Sequence, residues 1–195
     1  MAEVNPAITA NQPEPGEWTY DDYLALPDDG HHYEIIAGVL YMVNAPGIDH
    51  QFTVVQLIKQ IGLFVDQHQS GYILAAPFEV HLSEITRPVQ PDVLFIRRNK
   101  WPGSEAKFFA GIPDLVIEVI SPSSARTDQV IKFSAYEQAG VPEYWLANPK
   151  SRAVEVFTLS GGEYALLGLY TDDEPIESKV LAGLNITTST LFLPR

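Results

Sequence analysis

Two nearly unbroken apolar runs constrain this chain most, residues 92–96 (DVLFI) and 115–120 (LVIEVI). A strand with one wet face alternates apolar and polar side chains. A run without that alternation reads as a strand buried on both faces, in the centre of a sheet. Residues 49–68 give the clearest helix. Val54, Leu57, Ile58, Ile61 and Val65 recur at helical spacing, and His50 lies on the same face. A second helix is predicted over 125–139. The Ser-Pro-Ser-Ser stretch at 121–124 suits its start, Gly140 its C-terminal cap, and Pro142 follows just beyond.

Shorter elements fill the rest. Residues 19–26 read as a helix with an acidic first turn, and 27–30 as a turn. Residues 32–37 and 39–43 read as a hairpin around Gly38, and 72–82 as one strand. Strands are expected at 143–147 and 153–159, then a Gly161-Gly162 turn into 163–170. The apolar tail, 184–193, is expected to pack back on the body. The order defines a mixed α/β (α+β) layer fold with additional C-terminal strands. The 195 residues suit one domain, 17–195, behind a mobile leader, 1–16. The leader has neither the basic start nor the apolar stretch of a secretory signal. No apolar run reaches the roughly 18–20 residues of a membrane span. The chain has no Cys. That excludes a disulfide framework, a cysteine nucleophile, zinc–thiolate sites and iron–sulfur clusters, and fits the cytoplasmic location expected here.

The chemically informative residue is Glu118. A strand's period of two puts Val116, Glu118 and Ile120 on one face, inside an apolar run. A buried carboxylate is costly unless paired, hydrogen-bonded or bound to a metal. An Arg partner or capping amides would satisfy it. A second acid on a neighbouring strand would make a divalent-cation site instead, because Mg²⁺ takes one or two carboxylates plus water and phosphate oxygens. Asp92, after Pro91, and Asp114, after Pro113, both qualify, and spacing does not choose between them. Asp128, Lys132 and Tyr136 follow at i, i+4, i+8 and share a helix face. Such a stripe is commonly a solvated ion pair. The short 121–124 connection, however, turns Lys132 back toward the carboxylates, where it could orient a water and offset charge on a phosphate. Glu34 is another acid in an apolar run, and an edge-strand glutamate facing water is its plainer reading. His50 reads as a satisfied core histidine.

Net charge is −13, from 12 basic and 25 acidic residues, which by itself argues against tight nucleic-acid binding. The acidity is concentrated at the N-terminus, since residues 1–58 hold nine acids and no Lys or Arg. The segment Arg97-Arg98-Asn99-Lys100-Trp101 could grip a phosphate backbone beside an aromatic ring, or be an ordinary polar loop.

From about residue 20 to 192 the chain resembles the bacterial "putative restriction endonuclease" domain family, a branch of the PD-(D/E)XK nuclease superfamily. The landmarks are Tyr33 to Gly38 (YEIIAG), Ala45-Pro46 followed by His50, and Pro91 to Phe95 (PDVLF). Then come Pro113 to Ser124 (PDLVIEVISPSS), with Asp128, Lys132 and Tyr136, and Gly140 to Leu146 (GVPEYWL). The resemblance implies a core of helix, three strands, helix and strand, with a Mg²⁺ or Mn²⁺ site where the sheet splits. It implies Asp92 and Glu118 as motif acids and Glu34 as an additional metal-site acid, with His50, Ser121, Asp128 and Tyr136 in support. The superfamily's lysine position is Ile120 here, and Lys132 on the next helix takes its place. Asn148, Ala37 and Val39 also depart from commoner acidic residues, at positions not expected to bind metal.

The expected function is a metal-dependent endonuclease on nucleic acid, with DNA as substrate and Arg97, Arg98 and Lys100 as phosphate contacts. A homodimer without a membrane partner is expected. The net charge and Ile120 suit a rival reading, a catalytically silent nuclease-like domain acting as a dimeric binding or regulatory protein. A phosphoesterase for small molecules shares the same residues.

Overall fold

The computed structural model describes residues 12–122 and 124–194. It is built on a six-stranded mixed sheet. The elements in chain order are α1 (Tyr20–Leu24), β1 (His32–Ile36), β2 (Val39–Val43), α2 (Ile48–His68), β3 (Gly71–Ala75) and β4 (Glu79–His81). There follow β5 (Val93–Arg97), β6 (Phe108–Ala110), β7 (Leu115–Val119), a π-helical turn (Thr127–Lys132) and α3 (Phe133–Ala139). The chain then forms β8 (Glu143–Asn148), β9 (Ala153–Ser160) and β10 (Glu163–Thr171). Strand order in the main sheet is β10-β9-β8-β7-β5-β3, with β7 and β8 parallel and the other pairs antiparallel. Among the described residues no helix is long and apolar enough to cross a membrane.

The two apolar runs are central strands because both of their faces are covered. Val93, Phe95, Leu115, Ile117 and Trp145 pack against Leu57, Ile61 and Val65 of α2 and against the C-terminal Leu184, Ile186, Leu191 and Phe192. Leu94, Ile96, Val116, Tyr144 and Leu146 form a second core on the opposite face, with Tyr136 of α3, Val80 of β4 and Phe109 of β6. Glu118 belongs to this second face.

Residues 72–82 are two strands rather than one. Pro77 has no amide to give a ladder, so pairing with β5 stops at Ala75, and Glu79–His81 pairs in parallel with β6 in a separate sheet. The helix expected over 125–139 is not α-helical throughout. Its π-helical half buries Asp128 and Lys132 while Gln129 and Val130 between them stay exposed. Such wide turns are often found at functional sites. At its other end Gly140, at φ 86°, closes α3, and the amides of Gly140 and Val141 both bond the Tyr136 carbonyl. Of the expected leader, residues 1–11 lie outside the described residues. Gly16 is attached, its amide 2.8 Å from the Gly38 carbonyl. Gly38 sits at φ 70°, and a Cβ there would collide with the Gly16 backbone.

One buried acid ties the tail to the sheet. Glu143 is fully buried and accepts from the Trp145 indole (2.8 Å), the Ser178 hydroxyl (2.6 Å) and the amides of Lys179 (2.6 Å) and Val180 (3.1 Å). Glu143→Ala strands four donors, each costing about 1–3 kcal/mol when buried and unmet. Urea denaturation is expected to show a loss of at least about 3 kcal/mol, and Glu143→Gln, which keeps an acceptor, a smaller one.

Candidate metal centre

The sheet parts where β5 begins and β7 ends. Ladder pairing runs from Phe95–Leu115 to Val93–Ile117, and the next opposed residues in that register are Asp92 and Glu118. There the side chains take over the ladder's donors. Oδ2 of Asp92 accepts the Val119 amide at 2.7 Å, and Oε2 of Glu118 faces the Asp92 amide at 3.4 Å. Both carboxylates are thereby fixed to strand backbone rather than to a loop.

Behind them lies a buried polar network. Oε1 of Glu118 accepts from the Lys132 ammonium at 3.0 Å and the Tyr136 hydroxyl at 2.8 Å. Lys132 also lies 3.1 Å from Oε1 of Glu34, which takes the Gln90 amide at 2.6 Å. Nε2 of His50 stands 3.1 Å from Oδ2 of Asp92. Ser121 and Ser124 bond each other's side chains and amides where the chain turns from β7 toward the helix. Asp128 is buried on the π-helical turn, and the Tyr144 hydroxyl holds that turn through the Asp128 carbonyl at 3.0 Å. Glu34, His50, Asp92, Glu118, Asp128 and Lys132 line a cavity of about 400 Å³. Among the described residues lining it, Lys132 is the only Lys or Arg.

Burial pushes the Glu118 carboxyl well above the usual carboxylate range, against the pull of Lys132 and with help from Asp92, Asp128 and Glu34. Burial draws Lys132 down, but Glu118, Glu34, Asp128 and Asp92 outweigh it and hold the ammonium well above its ordinary range. Burial also pushes Asp128 up to about 6, opposed by Lys132 and a Ser124 hydrogen bond.

The expected residues are thus divided between two ends of the sheet. Asp92, Glu118, Lys132, Glu34, His50, Ser121, Asp128 and Tyr136 gather at one. His50 faces the sheet and stands on Asp92, and it is not a fully satisfied core histidine, because its Nδ1 is buried with no partner among the described residues. Asp114, the rival aspartate, sits at the other end of β7. It is held by the Arg97 amide (2.9 Å), the Arg97 side chain (3.3 Å) and the Lys100 ammonium (2.9 Å). The backbone of Arg97 therefore lies about 16 Å from that of Asp92, five residues on at roughly 3.3 Å each, and Arg98 and Lys100 follow in a turn beyond the strand's far end. Two of them already serve Asp114. Glu34 comes to the site through Lys132. Among the described residues no three His, Asp or Glu side chains form a closed ligand set. Two participants left no signal in the sequence, the Gln90 and Val119 backbone amides, since any non-proline residue carries one.

The fold is of a nuclease-like class. Residues 20–189 match the Uma2 family, described as "putative restriction endonuclease", and the chain belongs to that family. The fold is similar to the crystal structure of a "putative nuclease" of the DUF820 group from Anabaena variabilis. The TM-score is 0.76 at 20% identity, over 89% of this chain and 97% of that one. No curated protein matches the chain.

Two measurements probe the network in metal-free protein. Lys132→Met leaves Glu34 and Glu118 buried without their cation. Removing one partner of such a set costs about 3–5 kcal/mol, and adding Glu34→Gln is expected to recover part of that loss in urea denaturation. Asp128 has a folded pKa above its unfolded value, so its contribution to stability is present below the ordinary carboxylate range and lost as pH rises through about 6. Asp128→Asn is therefore expected to raise Tm relative to the parent at pH 8. That gain should shrink as pH falls from about 6 to 4.

Proposed function

We propose that this protein is a metal-dependent endonuclease that hydrolyses phosphodiester bonds of nucleic acid, with DNA as the expected substrate. The observation that carries this reading is the pairing of Asp92 and Glu118 across the parted strands, with the Lys132 ammonium 3.0 Å from Glu118. The donor set suits Mg²⁺ or Mn²⁺. Two carboxylates, opening on a cavity with room for water and phosphate oxygens, are what these ions take from protein. Oδ1 of Asp92 accepts no hydrogen bond among the described residues, and Oε2 of Glu118 has only the long contact to the Asp92 amide. These two oxygens would hold the ion. Bound there, it would supply a water acidic enough to attack near neutral pH and a charge to offset that developing on the phosphate.

The chain's own groups do the rest. Lys132 stays charged among carboxylates and is placed to meet a phosphate oxygen or orient the attacking water. Tyr136 and Lys132 together occupy Oε1 of Glu118, which leaves Oε2 for the ion. Glu34 holds Lys132 from its other side. One such site cuts one strand, so a double-strand break calls for two copies, in keeping with the homodimer expected from sequence.

Plasmid nicking in Mn²⁺, with calorimetric metal titration, tests the proposal. Asp92→Ala is expected to abolish both metal binding and nicking, while Asp114→Ala leaves metal binding largely intact. Lys132→Met, assayed where circular dichroism shows it folded, is expected still to bind metal and to lose about a hundredfold in cleavage, the scale of one transition-state donor. The reverse aspartate pattern would overturn the site. Metal binding without nicking in the parent would favour the silent, regulatory reading.

A further inference from the structure

We propose that His50 dictates how Asp92 meets a metal ion, and so biases this site toward small octahedral cations over Ca²⁺. The inference rests on the metal-site reading above and assigns His50 a role within it.

His50 enters on the first turn of α2, and the apolar stripe of that helix points it at the sheet. The residue is only 9% exposed, and its two ring nitrogens are in different situations. Nε2 is 3.1 Å from Oδ2 of Asp92. Nδ1 is buried with no partner among the described residues. A stranded N–H costs more than a stranded lone pair, since carbonyl-type acceptors tolerate incomplete pairing better than donors do. The ring proton therefore belongs on Nε2, where a carboxylate receives it. His50 acts as a single fixed donor aimed at one oxygen.

That oxygen already has a donor, the Val119 amide at 2.7 Å. Two donors from two elements, β7 and α2, converge on Oδ2. Rotating the Asp92 carboxylate would break both bonds. Oδ1 is left to a cation, so Asp92 would offer it one oxygen. Mg²⁺-like ions need near-ideal octahedral geometry at short distance and are served by single oxygens. Ca²⁺ takes six to eight oxygens and readily accepts a carboxylate through both. Without His50, Oδ2 keeps only the Val119 amide and can turn toward the ion. The smaller cation loses its preorganised ligand, and the larger one gains a second oxygen.

Titration calorimetry of the full chain, stripped of metal and then given Mn²⁺ or Ca²⁺, tests this. His50→Ala is expected to weaken Mn²⁺ binding about 10–100-fold, the usual cost of losing a group that orients a ligand. Its Ca²⁺ affinity should hold or rise, because the larger ion exchanges one carboxylate oxygen for two. His50→Gln, whose amide reaches as far as Nε2, should recover most of the Mn²⁺ affinity. If His50→Ala fails to fold by circular dichroism, His50→Asn replaces it, because its amide is too short to reach Oδ2. Equal losses for both ions, no loss for either, or a Gln variant no better than Asn or Ala would overturn the inference. A parent that binds neither ion would overturn the metal-site reading as well. A parent that binds Mn²⁺ with an unaltered ion ratio in the variants overturns only the role of His50.

Discussion

The clamp of Lys132 and Tyr136 on Glu118 is the interaction on which the rest of the site depends. Glu118 sits in the middle strands of a sheet covered on both faces, where a bare carboxylate is among the costliest groups to bury. Two donors on one oxygen meet that cost, and both come from the helix that follows β7. The helix must therefore pack on the Glu118 face and bring residues 132 and 136 over the carboxylate. The π-helical turn, the Ser121–Ser124 hydrogen bonds and the Tyr144 bond to the Asp128 carbonyl all fix how the chain gets there. Tyr136 is at once a core side chain and a hydrogen-bond donor, so core packing and the polar network set each other's geometry.

A second constraint comes from the ladder itself. Between β5 and β7 the backbone pairing stops at Val93–Ile117, and carboxylates accept the amides that the ladder would have used. Strand ends normally give such donors to water or a loop. Here they hold side chains, and the side chains inherit the rigidity of a central sheet. Functional groups mounted on strands are placed more precisely than groups on loops. The opposite end of the sheet shows the same economy in a structural role. Asp114 accepts the Arg97 amide and pairs with Arg97 and Lys100, closing the β5 and β7 ends around an ion pair rather than a cavity.

Much of this was legible in the residues. Period and apolar content located α2, β5, β7 and β8, because burial on one stripe or on two faces leaves a direct mark on sequence. Glu118 stood out for the same reason, a carboxylate breaking a run that nothing else broke. Lys132 followed from its four-residue spacing to Asp128 and Tyr136, together with the short connection before the helix. The choice of Asp92 over Asp114 did not follow from spacing. Both acids follow a proline and both abut a central strand, and only the antiparallel register of β5 on β7 sends them to opposite ends. The break at Pro77 was missed because Tyr72 to Leu82 alternates well enough to mimic one strand. The π-helical turn has no signature in composition. Glu143 read as the first residue of a strand. Its partners are a neighbouring indole and groups 35 to 37 residues further on, a contact that only the folded tail creates.

The charge balance of the cavity connects this architecture to chemistry. Glu34, Asp92, Glu118 and Asp128 line it against one lysine. With all four acids ionised the lining would carry a net charge of −3, from four negative charges and one positive, in a partly water-excluded space. The folded chain relieves this by raising the proton affinity of Glu118 and Asp128. A divalent cation would relieve it more completely, and because metal ions bind carboxylates in the deprotonated form, its uptake would be coupled to release of protons. The same logic bears on an acidic protein approaching a polyanion. The overall charge of −13 opposes nucleic acid. On the nuclease reading proposed above, a divalent cation at the carboxylates would cut that lining charge from −3 to −1 and present its own positive charge to an arriving phosphate, leaving the remaining repulsion to surfaces that need not touch it.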